Sequence, residues 1–112
     1  MRSHDHWRDL LADRPLPAAI VDLDAVDANV ELLLDRLAPG PTLRLASKSI
    51  RVPAVLRRLL DAGPRVRGVM TWSTAELRLL ADHGFTDLLH GYPVGRRTDA
   101  DVFADLAARP GV

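Results

Sequence analysis

Cysteine is absent from the 112 residues. That excludes disulfide scaffolds, thiolate metal sites and thiol nucleophiles together, and it accords with a reducing compartment. Net charge is absent as well, because 15 Lys and Arg balance 15 Asp and Glu. Recognition of nucleic acid or of an anionic membrane rests on clustered positive charge, so neither partner is expected. No run approaches the roughly 18 apolar residues that a membrane span needs. The opening MRSHDHWRDLLADRP is too polar for a signal peptide, and the expected location is cytoplasmic.

Lysine is nearly absent, and this scarcity is the most informative one. Of the 15 cations, 14 are arginine and only Lys48 is lysine. Arginine replaces lysine for solubility and ion pairing, but its guanidinium stays protonated. An ε-amine can lose its proton and attack a carbonyl. A lone lysine in an arginine-writing sequence is therefore either an uncommitted surface residue or a chemical one, and its local context has to decide.

What is present is an ordinary globular make-up, 47% hydrophobic and 27% charged, with strand and helix patterns alternating at short spacing. After a polar tail over residues 1–15, the apolar run 18–23 behind Pro15 and Pro17 reads as a strand. Asp24 reads as an N-cap with Asp27 in the first turn; Val26, Val30, Leu33, Leu34 and Leu37 form a helical stripe that Pro39 and Gly40 stop. A second strand over 42–48 alternates Leu43, Leu45 and Ser47 with Arg44, Ala46 and Lys48. Pro53 opens the next helix, which carries Val55, Leu56, Leu59 and Leu60. A third strand near 67–72 runs into Ser73-Thr74-Ala75-Glu76, the spacing of a capping box, and a helix through Leu77, Leu80 and Ala81. A fourth strand over 87–91 leads through Tyr92 and Pro93 to Thr98, read as the cap of a last helix bearing Val102, Phe103, Leu106 and Ala107. Four strand–helix units of about 25 residues each imply an α/β fold with a parallel sheet. Lys48 then falls at or just past the C-terminal end of a strand, the edge where such sheets bind ligands.

At this point the residues resemble a known family. Leu16-Pro17-Ala18-Ala19-Ile20-Val21-Asp22-Leu23-Asp24-Ala25-Val26-Asp27-Ala28-Asn29-Val30, followed by Leu43-Arg44-Leu45-Ala46-Ser47-Lys48-Ser49, is similar to the N-terminal part of the alanine-racemase-like (fold type III) pyridoxal phosphate (PLP) enzymes. The D-threonine aldolase and D-serine dehydratase branch, with its amino acid deaminase/aldolase members, is the nearest likeness. Gly68-Val69-Met70-Thr71-Trp72-Ser73-Thr74-Ala75-Glu76 and Asp87-Leu88-Leu89-His90-Gly91-Tyr92-Pro93-Val94 continue it in the right order over residues 16–95. The resemblance implies the N-terminal portion of a (β/α)8 PLP barrel over 16–112. It also implies pyridoxal 5'-phosphate as cofactor, an amino acid as small-molecule substrate, and a lyase of the deaminase/aldolase type. Lys48 would be the catalytic residue, forming the internal aldimine and serving as a base for the substrate α-proton. Arg44, four residues earlier, and Tyr92 would join it at the cofactor. The branch often has a His two residues before its lysine and a second His and Lys after it, where this chain has Ala46 and Ser49-Ile50-Arg51. That departure favours the deaminase/aldolase subgroup over a true D-threonine aldolase, and it speaks against racemization.

The remaining polar residues read otherwise. Ser73 and Thr74 read as helix caps, His83 as a solvated helix-end residue, and Trp72 and Phe103 as core. His90 at a strand end is open. The His4-x-His6 pair in a mobile tail is not read as a metal site. A complete barrel needs about 250 residues, so the sequence looks truncated, without the C-terminal β-domain. Val112 stands about where a further strand would start. In the superfamily the opening strand often joins that β-domain, which would leave three or four barrel strands here. The alternative readings are a small non-catalytic α/β protein or truncated remnant, or an alanine-racemase-like PLP-binding protein. Either way the 112 residues alone are expected to turn over no amino acid, and an open sheet is expected to favour a homo-oligomer.

Overall fold

The computed structural model describes residues 2–109. Its elements run α1 (His4–Leu11), α2 (Leu23–Arg36), β1 (Leu43–Ala46), a 3-10 turn (Ser47–Ser49), α3 (Pro53–Leu60), β2 (Val66–Thr71), α4 (Thr74–Asp82), β3 (Leu88–His90) and α5 (Arg97–Ala107). The three strands form one open parallel sheet in the order β1-β2-β3. A helix follows each strand, as parallel pairing requires.

The expected strand over 18–23 does not form. A strand needs a partner for its backbone groups, and among the described residues none pairs with this run; Ile20 and Val21 stay exposed. The helix that follows starts earlier than expected as a result. Asp22 is its N-cap, accepting from the Ala25 amide at 3.2 Å, and Asp24 sits inside the first turn. The polar N-terminal segment is also more ordered than a tail. Ser3 accepts from the His6 amide and starts α1, which buries none of its residues. The last helix begins at Arg97 behind Arg96, so Thr98 lies within it and does not cap it. The expected further strand at Val112 lies outside the described residues.

The helices cover one face of the sheet. Val30 of α2 meets Val55 and Leu59 of α3 over Val66. Leu56, Leu80 and Phe85 enclose Val69, and Leu77, Ala81 and Leu106 join α4 to α5. Leu33, although on the expected stripe, is 57% exposed beside an apolar groove between α2 and α3.

The other face is open. Leu89 there is 48% exposed and Met70 only partly covered. Across its lower end Arg44 reaches from β1 to Asp87, donating to the carbonyl and to Oδ1, each at 2.7 Å. The arm crosses Gly68, where a Cβ would overlap Arg44 Nη1 and the Asp87 carbonyl. Gly68 also holds φ at +65°, in a stretch where β2 spends three residues against two of β1. This is the extra residue of a bulge, and glycine is the residue that tolerates it.

Candidate functional site

β1 ends at Ala46, and the chain turns through Ser47–Ser49, which puts Lys48 just past the C-terminal end of the strand. Ser47 anchors that turn. Its side chain is fully buried and donates to the Met70 carbonyl at 3.0 Å, so the turn is fastened to the next strand. The Lys48 side chain is exposed, with one hydrogen-bond partner among the described residues. Its Nζ donates to Tyr92 Oη at 3.0 Å, and the ammonium lies 5.7 Å from the centre of that ring.

Tyr92 arrives from the other side of the sheet. It follows β3 by two residues, and Pro93 after it restricts its backbone to extended conformations. Two of the three residues expected at the site, 44 positions apart in sequence, are thus brought into contact at the sheet's C-terminal edge. Arg44, the third, lies on β1, the strand that leads to the lysine's turn, but is engaged with Asp87 at the opposite end.

Behind Tyr92 is a cleft of about 320 Å³ lined by Trp72, Ser73, Thr74, His90 and Arg96 among others. The α4 N-terminus forms one wall. Ser73 accepts from the Glu76 amide at 3.2 Å while Glu76 Oε2 accepts from the Trp72 amide at 3.1 Å, a reciprocal cap. Thr74 Oγ1 donates to Asp99 Oδ1 at 2.6 Å, tying α4 to α5. His90 shares a hydrogen bond with Thr71 Oγ1 through Nδ1 at 3.3 Å and meets Phe103 edge-on at 5.3 Å. It lines the cleft beside Trp72 and Tyr92.

Trp72 is not core. It is 44% exposed, and the Arg51 guanidinium lies over its ring at 5.2 Å. Arg51 Nε in turn donates to the Lys48 carbonyl at 3.3 Å. The Arg51–Trp72 stack at the rim was not legible in the sequence, although Trp at a strand end, directly before a helix cap, is a position that faces a loop. Phe103 is partly buried against the α4–α5 cluster. His83 caps the end of α4, with Nδ1 2.8 Å from the Leu79 carbonyl. Among the described residues no three His, Cys, Asp or Glu side chains come together as a metal site, and no helix is long and apolar enough to cross a membrane.

No family model and no curated protein matches the chain. Among solved structures, D-threonine aldolase from Filomicrobium marinum superposes on it with a TM-score of 0.79 and 34% identity, covering 88% of this chain. The chain spans 26% of that protein's length. The fold, an open part of a barrel, is therefore shared with a member of the branch that the sequence blocks resemble. The likeness to this neighbour, over about a quarter of the aldolase, supports the alanine-racemase-like (fold type III) branch that the sequence blocks resemble.

Proposed function

We propose that this chain carries the lysine-bearing N-terminal part of a PLP-dependent lyase that acts on D-amino acids, of the deaminase/aldolase type, with Lys48 as the residue that binds the cofactor covalently. One observation supports this above all. The sole lysine stands exposed at the ligand-binding edge of a parallel sheet with a phenol 3.0 Å from its amine.

The residues present suit the covalent half of such a site. An exposed primary amine is what an aldehyde cofactor requires, and the bound cofactor supplies an electron sink for the substrate's α-carbon. Ser47 fixes the turn that presents the amine, and Arg51 braces the same turn through the Lys48 carbonyl. Tyr92 holds Nζ at the edge of the cleft. Arg44, four residues before the lysine, is proposed at the cofactor on the family resemblance, and its guanidinium is held by Asp87. The phosphate half is less developed in these residues. Of the hydroxyls nearest the helix amides that attract anions, Thr74 already donates to Asp99, and Ser73 accepts from the Glu76 amide.

A direct test compares the wild-type chain with Lys48→Arg. Each is mixed with an equimolar amount of PLP, reduced with borohydride and assayed for pyridoxyl groups per chain. The variant is expected to fall to the level of a terminal amine. Equal incorporation in both would contradict the assignment.

A further inference from the structure

We propose that Tyr92 is the acid catalyst for carbonyl attachment at Lys48, a role beyond contact with a cofactor and one that rests on the assignment of Lys48 as the attacking amine. The geometry is specific. Tyr92 Oη is the side-chain partner of Nζ, at 3.0 Å, and the ring is 43% exposed on a segment that Pro93 stiffens. A group held against the reacting nitrogen is also within reach of an oxygen on the carbon that the nitrogen attacks.

The chemistry calls for such a group. When the neutral amine adds to an aldehyde, an N–C bond forms, the carbonyl oxygen becomes a hydroxyl, and a proton passes from nitrogen to oxygen. The C–O bond then breaks. The departing hydroxyl takes the Tyr92 proton and leaves as water, and the phenolate recovers a proton from the nitrogen, so the net change is loss of one water. Proton supply to the leaving hydroxyl limits imine formation at and above neutral pH, which is where a positioned phenol accelerates it. Acylation of the same amine expels a leaving group that needs no such proton. In and beside the turn that carries the amine, the Ser47 hydroxyl is committed to the Met70 carbonyl, and Arg51 is a cation that donates to the Lys48 carbonyl.

The test exploits this difference, together with the single lysine. Wild type and Tyr92→Phe are treated at pH 8 with pyridine-4-carboxaldehyde and quenched with borohydride at timed early points, so that the rate of imine formation is read, or with acetic anhydride, and modification at Lys48 is followed by peptide mass. Tyr92→Phe is expected to slow the aldehyde reaction about tenfold, below the usual range for a buried acid because this phenol is open to water. The acetylation rate should stay within a factor of two. Equal slowing of both reactions would reduce Tyr92 to packing around the lysine and overturn the proposal, as would no slowing of either. Loss of acetylation alone would overturn it too. Failure of the wild-type Lys48 to react with the aldehyde any faster than the terminal amine would instead count against the lysine assignment itself.

Discussion

At the scale of single residues, the structure turns on contrasts within one composition. Ten of the fourteen arginines form ion pairs or donate to backbone carbonyls, while the one lysine is left with a phenol as its side-chain partner. Arg44 illustrates the first use. It bridges β1 to β3 across β2, and the crossing is possible only because Gly68 offers no Cβ and accepts a positive φ. Asp87 completes the clamp from a left-handed conformation of its own, φ 52°, in which its carbonyl accepts from both Arg44 and the Val69 amide. Gly68→Ala should therefore be costly twice, through backbone strain and through overlap with two fixed groups. A loss of at least about 1 kcal/mol is expected from the strain alone, read as a lower urea midpoint. An unchanged midpoint would show that the clamp is loose.

At the scale of elements, α2 depends on few contacts. Val30 supplies its buried anchor, and Arg58 of α3 holds Asp27 through two hydrogen bonds of 2.7 and 2.5 Å. Hydrogen bonding to Arg58 keeps the Asp27 carboxyl below its ordinary value of 3.8, and Asp27 in turn raises the guanidinium. A carboxyl lowered in the folded state contributes stability that is present above its unfolded pKa and disappears as pH falls through the folded one. The difference in urea midpoint between wild type and Asp27→Asn should thus be constant from about pH 5 to 8 and shrink below about pH 4. It should also be small, since both side chains are about half exposed. A difference independent of pH would mean that the ion pair does not hold α2. The same scale shows what sequence reasoning reaches. The helices were legible because Pro53, the Ser73 and Glu76 cap and the apolar steps are local signals. The run 18–23 misled because its apolar residues carry a strand's pattern but no pairing partner within the described chain. The Lys48–Tyr92 contact was legible only as two separate candidates, since the pairing is made by sheet order. The Arg51–Trp72 stack and the Arg44–Asp87 clamp depend on register and a bulge, which no local signal announces.

At the scale of the whole molecule, one face of the sheet and both of its edges are uncovered among the described residues. The accessible surface is 8029 Å², against about 6,100 Å² for a compact monomer of this mass. The radius of gyration is 17.1 Å, against about 13 Å for a compact domain of this length. The surplus area, about 1,900 Å², is of the order buried by a stable association, and it includes the apolar groove beside β1 and the face around Leu89. Self-association of the 112-residue chain through a second copy is therefore expected, and sedimentation at micromolar concentration should detect it. A monomer that unfolds in one cooperative transition would show instead that the open face is stable in water. The claim on which everything else rests concerns the amines. The whole chain carries two primary amines, Lys48 Nζ and the terminal one, and the most direct measurement asks which of them takes PLP. With cofactor well below the protein concentration, borohydride reduction and peptide mass mapping should place the pyridoxyl group on Lys48 in clear excess over the terminal amine. Label confined to the terminus, with Lys48 unmodified, would contradict the account.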